Sequence, residues 1–393
     1  MLKMVDGTGI IGVDMICPLG VSTPQPPNYD KVELEGAGML VLPNSLNAPL
    51  ERLELGGKTE QNQDPPPSPE YLQEIKNAGK WNEETQKYEV DVKVTGKNLF
   101  DKSLLEGGKI VEFNGKEYYK YIDNNNNYRY KGKFKNGQQY AFTLRILRPA
   151  SKESNGTGME IVYTDGTRKW TMFKHGELKT LVSDPGKTID YFCGGYNYGM
   201  DCYLDLSVTR LSVGGQDAGY APYKEQTLTI TSDRPITKWD RLVEQGGEIG
   251  WLYGSVIATI DETSSLSLYA PNGFFIHVKN IDKKEKTGYC DKLYTKKMSN
   301  GEPFVLFGIA NNNFLYTLNT QEFYGKTPSE IKAKLKEYPL NIIGKSETTE
   351  FIPLQQSEQN AIRALKTYYP TTVITADGGE LDPDIKVTYR KEI

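Results

Sequence analysis

KYEVDVKVTG, residues 87–96, places Tyr88, Val90, Val92 and Val94 at every second position with charged or polar side chains between them. A period of two is the signature of a strand with one buried face and one wet face. The same alternation recurs on both sides. PLERLELGG precedes it; EYYKYI, YRYKGKF, QYAFTLRIL, MEIVYT, TRKWTMFK, TIDYFCGG, CYLDLSVTRLSV and QTLTITS follow. Between these runs stand Asn114-Gly115, Asn136-Gly137 and Asp165-Gly166, pairs that tolerate positive φ and suit tight hairpins. With 38 Gly, 21 Pro and 26 Tyr spread among such runs, the chain reads as all-β, of sandwich or jelly-roll type.

Further along, GWLYGSVIAT, LSLYA, GFFIHV, FVLFGIA and FLYTLN continue the strand pattern. Two short helices interrupt it. Thr327, Pro328 and Glu330 form a capping-box signature that opens a helix running to Tyr338, where Pro339 stops it. A second helix is predicted over residues 358–368, with Ala361, Ile362, Leu365 and Tyr368 on one face. The expected division is an assembly arm at 1–48, a first β-sandwich at 49–232, and a second sandwich-like unit carrying both helices at 233–393. The arm is assigned because IIGVDMI and MLVLP, split by STPQPPNYD, bury little surface alone.

Composition narrows function. The net charge of the 393 residues is -4, with both signs scattered, so no basic stripe suits a phosphate backbone and nucleic acid is not an expected partner. No apolar run approaches the roughly 18 residues of a membrane span, so membrane insertion is not expected. The opening MLKMVDGTGIIGVDMICPLG is broken by Asp6 and Asp14 and reads as no signal peptide, which implies folding in the cytoplasm. Cys17, Cys193, Cys202 and Cys290 contain no C-x-x-C pair and are expected as free buried thiols. With His175 and His277 the only two histidines, Ser-His-Asp and Cys-His catalysis have almost no raw material.

Several segments carry a resemblance. GGKTEQNQDPPPSP (56–69), TGKNLFD (95–101), ITKWDRLVEQGGEIGW (236–251), APNGFF (270–275) and TTEFIPLQQSEQNAIRALKTYYPTTVI (348–374) resemble tail-tip and minor structural proteins of siphophages infecting Gram-positive bacteria. The matches extend from about Leu50 to Thr375 and leave the first 45 residues uncovered. The resemblance implies a virion tail-tip protein assembled in the host cytoplasm beside other tail and baseplate proteins. It also implies a homo-oligomer, with a trimer favoured, whose weak sites gain strength by repetition.

Candidate contact residues follow from the aromatics. YFCGGYNYGMDCY (191–203) offers Tyr196, Tyr198 and Tyr203 around glycines that let a flat ligand approach; the alternative is that half of these rings fill the core. Trp170 shares a strand face with Met172 beside Arg168 and Lys169, and either anchors a sugar or partner or is buried. In the Tyr-rich hairpin of Tyr118, Tyr119, Tyr121, Tyr128 and Tyr130, one face packs and one is wet, and Tyr128, Arg129 and Tyr130 are the candidates there. Trp239, Asp240, Arg241 and Trp251 read as structural, with Trp on Trp and Asp paired to Arg. Asp201 with Asp205, and Asp382 with Asp384, are the nearest carboxylate pairs, and sequence shows neither a cleft nor unequal environments around them. No cofactor or metal site is assigned, although a structural calcium on turn carboxylates stays open.

The expected function is non-catalytic binding of a host cell-surface polysaccharide by domains resembling carbohydrate-binding modules. Two rivals stand beside it: a purely structural baseplate subunit binding only tail proteins, and a carboxylate-based glycan hydrolase.

Overall fold

The computed structural model describes residues 28–62, 74–121, 128–147, 157–196, 202–269, 273–282, 284–295, 304–306, 314–318 and 326–393. Strands make up 55% and helices 7%, which places the chain in the all-β class with two helices. The alternation that opened the sequence reading is realised: Val90, Val92 and Val94 are fully buried on strand Lys87–Thr95.

That strand belongs to a four-stranded antiparallel sheet in the order Glu225–Ser232, Lys87–Thr95, Thr371–Asp377, Met39–Pro43. Facing it is a seven-stranded sheet ordered Tyr29–Ala37, Asp384–Glu392, Arg52–Gly56, Arg241–Gln245, Glu248–Ile260, Leu340–Pro353, Gly288–Cys290. Leu40, Leu42, Val92 and Ile374 from the first sheet meet Leu55, Leu242, Trp251 and Val387 from the second in one core, and this two-layered unit is the body. Helix Gln356–Arg363 covers one side with Ile362 buried. Glu358 fixes its start, accepting from the backbone N–H of Gln355 at 3.2 Å and from that of Thr231 at 2.9 Å. The helix is therefore shorter than predicted and begins earlier.

Two excursions leave the body. Thr95 and Glu225 lie opposite each other on paired strands, so residues 96–224 depart and return at one point. Ile260 and Leu340 are opposed in the same way, and residues 261–339 form the second excursion, which returns Gly288–Cys290 to the edge of the seven-stranded sheet. The first has its own core of Phe100, Tyr130, Phe142, Met159, Ile161 and Phe192 among others, with Phe142 and Phe192 ring centroids 4.6 Å apart. One layer around that core is ordered Leu178–Val182, Tyr140–Leu147, Tyr203–Asp205, Lys116–Tyr121, Gly108–Phe113, with Arg210–Val213 also on Tyr140–Leu147. The other is ordered Arg168–Phe173, Thr157–Tyr163, Ile189–Tyr196, Tyr128–Tyr130, Leu105–Glu106. Asn114 and Gly115 take φ of 51° and 69° and turn the hairpin between Phe113 and Lys116, as their residue types require.

The second excursion contributes Ile276, Val278, Ile281 and Cys290 to a third core, against Ile331 and Leu335 of helix Pro328–Glu337. Thr327 caps that helix, with both hydrogen bonds of the capping box formed.

These boundaries differ from the expected ones. A break between 232 and 233 would cut the body, because its core draws on residues from Val32 to Tyr389. The expected arm at 1–48 is divided too: Tyr29–Ala37 and Met39–Pro43 are intrinsic strands of the two body sheets, while 1–27 lie outside the described residues. Alternation identifies a strand but carries no information about a partner more than 100 residues away.

Candidate functional site

The outer face of the five-stranded layer brings together two of the sequence-predicted residues, Trp170 and Arg129. Strand register aligns Trp170, Glu160, Cys193, Arg129 and Glu106 in one row across it. A parallel row holds Arg168, Val162 and Tyr191. Because side chains alternate along each strand, residues in register share a face. Trp170 is 49% exposed and Met172 37%. From Trp170 to Arg129 the face spans three strand spacings, about 14 Å.

Each group is held in place. A Cβ at Gly158 would lie 2.4 Å from the Trp170 Nε1 and 3.0 Å from its Cε2, so the absent side chain is what lets the indole settle on the sheet. Glu160 Oε2 accepts from Arg168 Nη1 at 3.2 Å and from the Cys193 thiol at 3.7 Å. Burial, with the Glu160 charge adding to it, pushes the Cys193 thiol up to about 12, so it stays neutral and unreactive at physiological pH. The Arg129 guanidinium covers the Tyr191 ring with its carbon 4.9 Å from the centroid. The result is a shallow face with one open aromatic surface, two planar arginine donors and a carboxylate acceptor. Such a set can stack against the C–H face of a sugar and hydrogen-bond its hydroxyls.

Gly158→Ala is expected to lift the indole, shift the Trp170 emission to the red and leave far-UV circular dichroism unchanged. The signal is isolated by comparison with the same change in a Trp170→Phe background. Unchanged emission would mean that the indole does not rest on Gly158.

The other predicted residues are placed differently. Tyr130 is 1% exposed, its hydroxyl donating to Leu99 O at 3.2 Å; it alternates with Arg129 and so faces the core. Tyr203 lies in the opposite layer, half-buried, edge-on to Phe113 at 5.7 Å and with Lys120 Nζ 5.6 Å above its ring. Tyr128 and Tyr196 are strand residues opposite Gly194 and Gly158, and Tyr198 lies outside the described residues. Glu160 and Gly158 carry no signal in the sequence, because only strand register brings them beside Trp170 and Met172.

The Trp-Asp-Arg segment makes its contacts within the body, though not through the expected pairs. Trp251 is buried, donates to Thr231 O at 2.7 Å and stacks on Tyr253 at 6.3 Å, while Trp239 meets Tyr289 edge-on at 6.0 Å. Asp240 is fully buried and binds backbone and hydroxyl donors of Thr237, Gly254 and Ser255, while Arg241 is exposed on the next strand.

The carboxylate candidates are tied up as well. Asp205 is buried, accepting from Ser207 N at 3.0 Å and facing Arg145 at 3.5 Å. Asp382 and Asp384 pair with Lys135 at 2.7 Å and Lys58 at 3.0 Å, and Asp201 lies outside the described residues. Among the described residues no group of three or more His, Cys, Asp or Glu is placed to hold a metal. Cys193, Cys202 and Cys290 are buried free thiols, and Cys17 lies outside the described residues.

Comparison with protein-family models, curated proteins and solved structures finds no match. The reading of this face therefore rests on its own chemistry and on the sequence resemblance.

Proposed function

We propose that the chain is a non-enzymatic phage tail-tip protein whose first excursion, a jelly-roll-like β-sandwich, binds a host cell-surface polysaccharide during adsorption. In this reading it resides in the virion, is assembled in the host cytoplasm with other tail and baseplate proteins, and acts as a homotrimer. The observation that carries the reading is Trp170, nearly half exposed on a flat sheet face and flanked by Arg168, Glu160 and Arg129. A large apolar ring displayed to solvent beside planar polar groups is the usual composition of a binding anchor. The motifs from GGKTEQ to TTVI support the phage assignment.

A second reading, a tail subunit that binds only other tail proteins, is favoured by Phe113. It stands 51% exposed on the opposite layer, with the rings of Tyr118 and Tyr203 5.9 Å and 5.7 Å away, where a protein partner would cover it.

Sedimentation with host cell walls decides between the two. Trp170→Ala is expected to weaken retention of the protein by about 30-fold, the equivalent of a 2 kcal/mol anchor. Its melting temperature should not change, since the ring is not in the core. Wild-type protein that fails to sediment with walls at any loading would remove polysaccharide binding and leave the assembly reading.

A further inference from the structure

A second, more enclosed space lies where the first excursion rejoins the body. The outer face of the four-stranded sheet and the near end of the excursion enclose about 590 Å³, a volume within the range of small-molecule sites, roughly 300–1,000 Å³. Its floor consists of two registered rows of mostly polar side chains. One runs Thr227, Lys93, Thr375, Met39, and the other Thr229, Asp91, Asp377. Its roof is apolar and aromatic, built by Leu99, Leu104, Tyr130, Tyr140 and Leu211. The ion pair between Lys133 and Asp377, at 2.7 Å, joins excursion to body at the rim.

The charges on the floor are already compensated. Lys93 binds Glu225 at 2.7 Å, and Asp91 binds Lys80 and accepts from Thr229 at 2.7 Å. Burial alone would raise the Asp91 carboxyl, but the hydrogen bonds from Lys80 and Thr229 and the nearby lysine charges outweigh it and hold Asp91 below its ordinary range. Asp377 is held low in the same way by Lys133 and Gly379 N against the effect of burial. The hydroxyls of Thr227 and Thr375 have no partner among the described residues. A ligand here needs no net charge, hydroxyls along one edge, and a C–H face for the roof.

We propose that this cleft binds a neutral saccharide of one or two rings, independently of the Trp170 face. A pyranose presents both surfaces at once, equatorial hydroxyls for the threonines and paired charges and axial C–H groups for Leu99 and Leu104, the half-buried part of the roof. A nucleotide would leave its phosphates without a free cation, and a fatty chain would bury the polar floor without hydrogen bonds. Because the ligand touches both units, its binding stabilises their junction.

The test uses the full chain with glucose, galactose, N-acetylglucosamine, rhamnose, maltose and lactose, read by titration calorimetry and by thermal melting. Thr227→Trp and Thr375→Phe fill the cleft from strand positions on its floor, and Trp170→Ala alters only the sheet face. At least one sugar is expected to bind wild type at one per chain and raise its melting temperature. Both filled variants should weaken that binding at least tenfold, and Trp170→Ala should leave it unchanged. Should a filled variant melt early, Lys93→Ala on the same floor provides the measurement: weakened binding supports the cleft, unchanged affinity overturns it. Absence of binding by all six sugars also overturns it. Binding lost in Trp170→Ala but kept in the filled variants would overturn the cleft while leaving the sheet-face reading intact.

Discussion

A chain cut after Pro383 is expected to lose the folded body altogether while keeping the first excursion folded. The ten residues removed carry strand Asp384–Glu392, which is internal to the seven-stranded sheet. On one side it pairs with Tyr29–Ala37 along its whole length, and on the other with Arg52–Gly56. Its Ile385, Val387 and Tyr389 are 0%, 1% and 2% exposed in the body core. Burial of three such side chains is worth about 1.5–3 kcal/mol each, and the cut also exposes two strand edges and strands Tyr29–Ala37 without a neighbour. That sum approaches the whole of a typical domain stability, about 5–15 kcal/mol. The core of the first excursion draws on no residue beyond Val213 and should survive. Limited proteolysis checks both halves of the expectation: a protected fragment spanning residues 97–224, with the rest digested. A truncated chain that melts cooperatively with intact near-ultraviolet dichroism would contradict the sheet order.

Asp240→Ala is expected to destabilise the body by about 4 kcal/mol. Its Oδ1 accepts from Gly254 N at 2.9 Å and Ser255 N at 3.1 Å, and its Oδ2 from Thr237 N at 2.8 Å, Thr237 Oγ1 at 2.7 Å and Ser255 Oγ at 3.0 Å. The register of the long strand pair slips between Tyr253 and Ser255, so the ladder does not serve these amides in the ordinary way. Asp240 supplies the missing acceptor. Removing it strands three backbone N–H groups at a site with no water access, each costing about 1–3 kcal/mol. Asp240→Asn should cost about half as much, since one oxygen remains to accept. Urea unfolding measures both, and a loss under about 1 kcal/mol for the alanine variant would mean that the bulge relaxes without its clamp.

What could be read from the sequence, and what could not, divides along a physical line. Local signals were legible: the alternation of Lys87–Thr95, the Asn114-Gly115 turn, the capping box at Thr327. Each depends on neighbours within a few residues. Parity along a strand was legible too, which is why Trp170 and Met172 were placed on one face. Which face looks inward was not, and so Arg129 and Tyr130, adjacent in sequence, received the same expectation and have opposite fates. Nor could sequence show that Thr95 and Glu225 are neighbours, because strand pairing is chosen by the complete core. Asp240 is adjacent to Arg241 in sequence, yet its partners are Thr237, three residues before it, and Gly254 and Ser255 across a strand connection.

The closure at Thr95 and Glu225 bears on how such a protein can change. Opposed residues on antiparallel strands have Cα atoms only about 4.5–5.5 Å apart, so the body presents the 96–224 segment with two ends that already meet. A two-residue turn would span the same gap. The segment is thus a cassette: it can be lengthened, replaced by an unrelated fold or lost, and the strand ladder beneath it keeps its register. Substitutions inside the segment then act on its own core of Phe100, Phe142 and Phe192, while those in the body act on a core of different residues.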